Sequence, residues 1–284
     1  MKKILITGAN GQLGQSILEQ STSYKNVECF FVTRNELDIT NESLITQYFE
    51  DKDFDFVVNC AAYTAVDKAE DFAEEAYLVN AKATEYLAKI THQKNIPFIH
   101  ISTDYVFDGI DSIPRKENDS TNPIGVYGET KLDGEILAVK NNSKTIIIRT
   151  AWVYSRFGNN FVKTMLKLFK ERESLSVVND QIGSPTNALD LAKAILDIIE
   201  KEHTVYGIFN YSNEGECSWF DFANKIKEYS NSSIEINSVP SSAFPTKAKR
   251  PAYSLLDKTK IKETYHIDIP KWEVSLKKEL EYIL

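Results

Sequence analysis

The sequence has 284 residues, of which 42% are hydrophobic and 26% are charged. A chain of this length can bury a large core, and it suits two domains or one large α/β unit. The formal net charge of -8, with no cluster of Lys and Arg residues, argues against general nucleic-acid binding.

The first predicted element is a short apolar strand, Ile4 to Thr7, which leads directly into glycines at positions 8, 11 and 14. The GxxGxxG spacing is a variant of the GxGxxG fingerprint of dinucleotide-binding turns. Glycines let a pyrophosphate approach the main chain, and unpaired amides at a helix start attract its negative charge. We therefore expect a dinucleotide site, with a glycine-rich turn of no binding function as the alternative.

A second buried strand is predicted for residues 27–32, and it ends at Thr33 and Arg34. This position usually decides ribose selectivity: an acid there binds the 2'-hydroxyl of NAD, whereas an Arg neutralises the 2'-phosphate of NADP. Arg34 therefore favours NADP(H). Because Glu36 and Asp38 are close by, a solvated loop cation is the alternative interpretation.

Strands and helices then alternate along the chain. This rhythm predicts right-handed βαβ crossovers and a doubly wound parallel sheet of the Rossmann type, an α/β fold. Ligands of such sheets bind at the carboxyl ends of the strands, so residues after each strand should converge on one crevice. We expect strands at 54–59, 96–102 and 145–154, with a loop at 108–122. We expect helices over 67–91, from Pro123 to about Lys140, and at 158–169.

The remaining chain is more polar, and five of the eight prolines follow position 184. It contains predicted strands at 175–179 and 206–212 and a helix at 188–199. The change in composition suggests a second lobe that contacts the substrate. We expect an NADP-binding domain formed by 1–150 and about 187–211, and a smaller sugar-nucleotide lobe formed by 151–186 and 212–284.

Tyr127 and Lys131 are four residues apart, so on a helix they share one face. At an effective dielectric of 20, an ammonium about 4 to 6 Å away is worth roughly 3 to 4 kcal/mol, enough to bring a phenol pKa toward neutrality. Tyr48 and Lys52 have the same spacing but lie away from the expected strand ends. The sequence therefore predicts Tyr127 as a general acid or base.

A hydroxyl is also expected beside Tyr127, because STDYVFDG (102–109) follows a predicted strand. Ser102 or Thr103 could hold a substrate carbonyl oxygen and orient it for proton transfer. The hydroxyl, the phenol and the ammonium together form a site with mutually consistent roles.

Seven segments in this order resemble the extended short-chain dehydrogenase/reductases over nearly the whole chain: GANGQLG, NCAAYTAVDKAE, STDYVFDG, VYGETK, RTAWVY, GNNF and QIGSPT. The second and third are much more specific than the glycine loop or the Tyr127 and Lys131 spacing. The resemblance is greatest to members that reduce keto-sugar nucleotides. It implies reduction of the C4 ketone of dTDP-4-dehydro-L-rhamnose to dTDP-L-rhamnose, with hydride from NADPH or NADH, for cell-surface polysaccharide synthesis.

The resemblance also implies roles for individual residues. Tyr127 is the proton donor, Thr103 and Lys131 complete the catalytic set, and Lys131 holds the nicotinamide ribose. The implied cofactor contacts are Gly8, Asn10, Gly11, Gln12, Leu13 and Gly14 at the pyrophosphate, Arg34, Asp38 and Ile39 at the adenosine end, and Ala61, Ala62 and Tyr63 in the middle. The implied substrate contacts are Val66, Thr103, Asp104, Tyr105, Trp152 and Arg250.

Several of these assignments have ordinary alternatives. Val66 and Trp152 could be core residues, Asp104 a loop cap, and Arg250 a surface cation. Some relatives form a magnesium-bridged dimer through a carboxylate just past the glycine loop, where this chain has Gln15 and Ser16, with Glu19 one turn later. We therefore expect no metal, and a monomer or homodimer.

Two other functions stay open. One is a sugar-nucleotide dehydratase or epimerase on the same scaffold, although Tyr105 stands where a dehydratase needs an acid. The other is a non-catalytic NADP-binding regulatory subunit of the methionine adenosyltransferase type, which the intact Thr103, Tyr127 and Lys131 make less consistent.

The cysteines and the hydropathy pattern indicate the compartment. Cys29, Cys60 and Cys217 are far apart and odd in number, so neither a disulfide framework nor a zinc site is predicted. No apolar run approaches the length of a membrane span. We expect a cytoplasmic protein without a membrane or nucleic-acid partner.

Overall fold

The computed structural model describes residues 1–201 and 203–284. The strands are β1 (Lys2–Thr7), β2 (Val27–Val32), β3 (Phe56–Asn59), β4 (Phe98–Thr103), β5 (Thr145–Thr150), β6 (Val153–Tyr154), β7 (Ser174–Val178), β8 (Ile182–Gly183), β9 (Thr186–Asn187), β10 (Gly207–Asn210), β11 (Cys217–Ser218) and β12 (Glu235–Val239). The α-helices are α1 (Gln12–Ser21), α2 (Glu42–Phe49), α3 (Val66–Ala69), α4 (Ala73–Tyr77), α5 (Ala83–Gln93), α6 (Val126–Asn141), α7 (Phe161–Glu171), α8 (Ala188–Glu200), α9 (Trp219–Tyr229), α10 (Thr259–Tyr265) and α11 (Trp272–Ile283).

The central sheet has the strand order β10-β5-β4-β3-β1-β2, and every neighbouring pair is parallel. The chain winds outward from β1 to β2, then in the opposite direction through β3, β4 and β5. This confirms the predicted doubly wound α/β fold. The winding reverses between β1 and β3, and their carboxyl ends therefore border the crevice where such folds bind ligands.

Apolar side chains cover both faces of the sheet because neighbouring strand residues point in opposite directions. Ile4 and Ile6 pack with α1 and α8, while Leu5 packs on the other face with residues of α2 and α5. A third apolar cluster lies among α7, α9, α11 and β7 in the later part of the chain. All six sheet strands lie within 1–150 and 207–210.

Two predicted elements are interrupted in the structure. The expected helix over 67–91 is α3, α4, a π-helical turn at Leu78–Lys82, and α5. The turn brings Asn80 to the loop after β3, where its Oδ1 accepts from the Tyr63 N–H at 2.8 Å. The expected strand over 145–154 breaks between β5 and β6, because Trp152 has a φ of 49° that no regular strand adopts.

The start of α6 also differs from the prediction, since Pro123 lies before its first residue, Val126. The Glu70 carboxylate accepts from the Val126 N–H at 3.0 Å and so stabilises this helix start.

In the described part of the chain, none of the helices combines the length and apolar character that a membrane span needs.

Candidate active site

A cavity of about 370 Å³ lies at the carboxyl ends of β1, β2 and β3, and we call it the β1–β3 cavity. Nine of the residues expected to bind the cofactor line it: Gly8, Asn10, Gly11, Arg34, Asp38, Ile39, Ala61, Ala62 and Tyr63. It is also lined by Thr33, Leu37, Thr40, Cys60 and Val79, which the sequence reasoning did not include. Thr33 and Cys60 come directly after β2 and β3, which is a signal that could have identified them, and Leu37 and Thr40 lie further along the loop after β2.

The glycine loop leaves no room for side chains at two of its positions. Gly8 has a φ of 68°, and a Cβ there would lie 2.6 Å from the backbone N of Ala61. A Cβ at Gly14 would lie 2.5 Å from the carbonyl oxygen of Gly8. Among the described residues no side chain caps α1, and its first turn contains no acid. Its first-turn N–H groups have no side-chain cap and therefore suit a pyrophosphate.

The side chains of Gln12 and Leu13 point away from the β1–β3 cavity. Leu13 packs in the apolar core with Ile17. The Gln12 Oε1 accepts from Asn160 Nδ2 at 3.0 Å and from Ser155 Oγ at 3.1 Å, which joins the glycine loop to the later part of the chain. Gln12 and Leu13 can therefore meet a ligand in this cavity only through their backbone.

Arg34 lies at the outer end of the β1–β3 cavity with 78% of its side chain exposed. Its Nε is 3.7 Å from Oδ2 of Asp38. Hydrogen bonds from Thr40 are the main cause that lowers the Asp38 pKa, so this carboxylate is ionised beside Arg34. The guanidinium keeps donors free for an anionic ligand.

Thr103 and Tyr127 meet where β4 ends against the first turn of α6. Gly128 allows this approach, because a Cβ there would collide with the carbonyl oxygen of Tyr105. The rings of Tyr105 and Tyr127 pack edge to face with centroids 5.4 Å apart. A hydrogen bond with Thr103 lowers the Tyr127 pKa, but burial outweighs it and raises that pKa to about 12.

Lys131 lies one turn further along α6 and is 1% exposed. Its Nζ donates to the carbonyl oxygen of Ile101 at 2.6 Å and lies 3.2 Å from Nε2 of His100. Burial lowers the Lys131 pKa to about 8. The expectation that Lys131 lowers the pKa of the Tyr127 phenol toward neutrality is therefore wrong for this structure. The Lys131 side chain is directed at β4, and burial of the phenol raises the Tyr127 pKa.

Asp104 is a buried carboxylate beside these groups, with an exposure of 2%. Its Oδ1 accepts from the Thr103 hydroxyl at 2.9 Å, while within the described structure its buried Oδ2 has no partner. Burial raises the Asp104 pKa to about 6. A buried acceptor without a partner is costly, so Oδ2 is suited to accept a hydrogen bond from a ligand hydroxyl.

The other residues expected at the substrate are Val66, Trp152 and Arg250. Val66 is half-buried at the start of α3. The Trp152 ring stacks on Trp219 at 3.6 Å. Nη2 of Arg250 is 2.9 Å from Asp67, and in the described chain its buried Nη1 has no partner.

A second cavity, which we call the lobe cavity, has a volume of about 840 Å³. Of the expected substrate residues, only Arg250 lines it. The sequence reasoning missed its aromatic residues Phe161, Trp219 and Phe244 and its second cation, Arg172. Phe161 belongs to the GNNF segment and could have been found there, whereas Trp219 and Phe244 lie in no motif.

No group of three or more His, Cys, Asp or Glu side chains that could hold a metal occurs in residues 1–201 and 203–284. The Glu19 carboxylate, one turn past the glycine loop, is 3.3 Å from Nη1 of Arg156. Its charge is therefore directed at a neighbouring guanidinium.

Comparisons with known proteins all find the same kind of relative, and the matches extend over almost the full chain. The family model described as RmlD substrate binding domain matches residues 1–283. A dTDP-4-dehydrorhamnose reductase of Aggregatibacter actinomycetemcomitans is 41% identical, covering 98% of both chains. Crystal structures of dTDP-4-dehydrorhamnose reductases from Clostridium acetobutylicum and, in complex with NADP, from Bacillus anthracis have TM-scores of 0.94, identities of 42% and 38%, and 99% coverage of both chains.

Proposed function

Because this chain belongs to the RmlD substrate-binding-domain family, we propose that it is an NADPH-dependent reductase that converts dTDP-4-dehydro-L-rhamnose to dTDP-L-rhamnose. The product would serve synthesis of rhamnose-containing polysaccharides. Full-length identity to dTDP-4-dehydrorhamnose reductases supports the reaction. The single observation that carries the mechanism is the convergence of Thr103, Asp104 and Tyr127 at the junction of β4 and α6.

NADPH would bind in the β1–β3 cavity and, when bound, supply the hydride for the C4 carbon. Its pyrophosphate fits the close contact of Gly8 with Ala61 and the uncapped first turn of α1. Arg34 would bind the 2'-phosphate, and Lys131 would hold the nicotinamide ribose. The donors present are backbone amides and cations, which match an anionic dinucleotide.

Tyr127 would give its phenolic proton to the C4 oxygen of the sugar. A high phenol pKa keeps the proton on Tyr127 at neutral pH, as a proton donor requires. The Thr103 hydroxyl, which donates to Asp104 in this structure, would turn to donate to the same oxygen and fix its position. Oδ2 of Asp104 would accept from a neighbouring sugar hydroxyl, with Val66, Tyr105 and Trp152 forming the walls around the ring.

The dTDP group would occupy the lobe cavity. Arg250 and Arg172 suit a diphosphate, and Phe161, Trp219 and Phe244 offer flat apolar surfaces to a base. Every residue that lines this cavity belongs to 151–186 or 212–284, which supports the proposed sugar-nucleotide lobe. The NADP-binding domain would then be 1–150 with about 187–211.

We further propose that the enzyme acts in the cytoplasm, without a metal, as a monomer or homodimer. The three cysteines are free thiols, as a reducing compartment requires. Its small-molecule partner is the dTDP-sugar.

The experiment is to mix the protein with NADPH and the 4-keto sugar nucleotide and to follow loss of NADPH absorbance, with product identified by mass. Oxidation of one NADPH per product formed is expected. Binding of NADPH without oxidation would instead favour a regulatory subunit, and sugar conversion without net NADPH oxidation would favour an epimerase or dehydratase.

A further inference from the structure

A chain of four buried polar side chains runs beneath the proposed active site. Thr7, Asn59, His100 and Lys131 come from β1, β3, β4 and α6 and are each at most 1% exposed. The Thr7 hydroxyl donates to Oδ1 of Asn59 at 2.6 Å, and Nδ2 of Asn59 is 3.1 Å from Nδ1 of His100. Nε2 of His100 is then 3.2 Å from Nζ of Lys131.

The orientation of the Asn59 amide determines which ring nitrogen of His100 carries hydrogen. The backbone N–H of Ala61 can only donate, and it donates to Oδ1 of Asn59 at 3.2 Å. The amide nitrogen of Asn59 must therefore face His100 and donate to Nδ1. A neutral His100 then carries its hydrogen on Nε2, the nitrogen that faces Lys131.

This tautomer decides which protonation state of Lys131 can form all of its hydrogen bonds. An ammonium has three donors and no acceptor, so it would direct an N–H at the N–H of His100. A neutral amine has a lone pair that accepts from Nε2 and keeps a hydrogen for the carbonyl oxygen of Ile101. All the hydrogen bonds of the chain are therefore satisfied only when Lys131 is neutral.

Glu135 and Cys60 both face Lys131 and favour its charged form, but burial opposes that form more strongly. Cys60 follows β3, and burial raises the pKa of its thiol to about 12. Glu135, on α6, is ionically paired with Arg149 at 2.7 Å. Tyr127 keeps its proton at neutral pH for the reason given above. Burial is the largest cause that lowers the pKa of both His100 and Lys131.

We propose that His100 is a positioning residue: fixed by Asn59 as the Nε2–H tautomer, it favours the neutral amine of Lys131, the main form in alkaline solution, until Lys131 moves to the ribose hydroxyls of NADPH. There Lys131 takes up one proton from solvent, while His100 keeps its own. At pH 9 the ammonium therefore forms in most molecules only with cofactor in place. The inference rests on the proposed function in one respect, the binding of NADPH ribose by Lys131.

The tautomer is measurable without cofactor, by ¹⁵N NMR of protein labelled at histidine, with the His100 signals identified by their loss in His100→Asn. We expect a protonated Nε2 and a bare Nδ1 from pH 6 to pH 9. A protonated Nδ1, or a doubly protonated ring, would overturn the inference. This result is independent of whether NADPH binds, so it is separable from a failure of the proposed function.

The proton uptake is measurable by titration calorimetry of NADPH binding, without keto sugar, in buffers of different ionisation enthalpy. With a free pKa near 8 and a bound pKa near 10, uptake should be about 0.8 proton at pH 9 and about 0.1 at pH 7. An uptake near zero at pH 9 in the unmodified protein, with NADPH bound, would contradict the inference.

Two variants should remove the uptake by different routes. Asn59→Asp presents an acceptor to Nδ1, which reverses the tautomer so that Nε2 accepts from the ammonium. His100→Asn keeps an acceptor for Asn59 and removes the N–H opposite Lys131. Each should lower uptake at pH 9 to less than about 0.2 proton. An unchanged uptake in His100→Asn would overturn the inference, whether or not Asn59→Asp folds.

Discussion

The β1–β3 cavity is lined by residues 8–79, whereas the lobe cavity is lined by residues 161–250. In the first, backbone atoms and small residues at successive strand ends form the wall, so short motifs describe it. In the second, aromatic and cationic side chains come from segments far apart in sequence. A site built by strand ends can therefore be found from local patterns in the sequence, whereas a site built by packed side chains cannot.

Tyr127→Phe tests the junction between the two cavities and should have the largest effect. Removing the proton donor should lower kcat by about 100- to 10,000-fold. The dissociation constant of NADPH should change little, since both cavities keep their walls. Tyr48→Phe, at the other Tyr and Lys pair with this spacing, is the control and should keep normal turnover. A near-normal kcat in Tyr127→Phe would remove this residue from the mechanism.

Gly8→Ala should break the β1–β3 cavity alone. The new methyl group would lie 2.6 Å from the backbone of Ala61, in a backbone conformation that costs an L-residue about 1 to 2 kcal/mol. NADPH binding should weaken by about 100-fold. Gly158→Ala is the matched control, because its φ is 60° and its methyl would meet only a side-chain carbon of Gln12 at 3.1 Å. Equal losses in the two variants would mean that strain, rather than contact with Ala61, is responsible.

Asp104→Asn tests the carboxylate beside the junction through its pH dependence. Burial raises the Asp104 pKa from 3.8 to about 6, so the folded protein binds the proton more tightly than the unfolded chain. Stability therefore falls as pH rises from about 4 to about 6, and the cost persists above that range. The variant should be about 2 kcal/mol more stable at pH 7 and gain nothing at pH 4, measured by urea unfolding. Asp133→Asn, at an exposed site on α6, should change stability at neither pH.

Phe244→Ala should affect the lobe cavity alone. The ring is 58% exposed at this cavity, and an aromatic contact is worth about 0.5 to 1.5 kcal/mol. KM for the dTDP-sugar should rise by up to about tenfold, while NADPH affinity stays constant. Phe72→Ala removes an equally large ring, 49% exposed and lining neither cavity, and should change neither constant. A larger loss of NADPH affinity than of sugar affinity would show that the two cavities are not independent.

Arg34→Ala should have the smallest effect, because this guanidinium is largely exposed to solvent and its charge interactions are screened. NADPH affinity should fall by about fivefold, and NADH affinity should not change. Lys25→Ala removes an exposed cation before β2 and is the control. Equal losses for NADPH and NADH would contradict the assignment of Arg34 to the 2'-phosphate.

The sequence by itself determined the parallel α/β fold, because apolar strands and helices alternate at a rhythm that only right-handed crossovers satisfy. It also predicted the residues at the ends of β1 to β4, since the carboxyl ends of parallel strands meet at one edge. Gly8 and Gly14 were identifiable for a local reason: their backbone conformation and close contacts exclude a side chain.

Only the tertiary structure decided the features that depend on contacts between distant segments. Trp219 and Phe244 line the lobe cavity from positions without a motif. The direction of Lys131 toward His100, rather than toward Tyr127, follows from the packing of α6 on β4. A residue spacing fixes which side chains share a helix face, but burial and the partners on the neighbouring strand decide their charge and their direction.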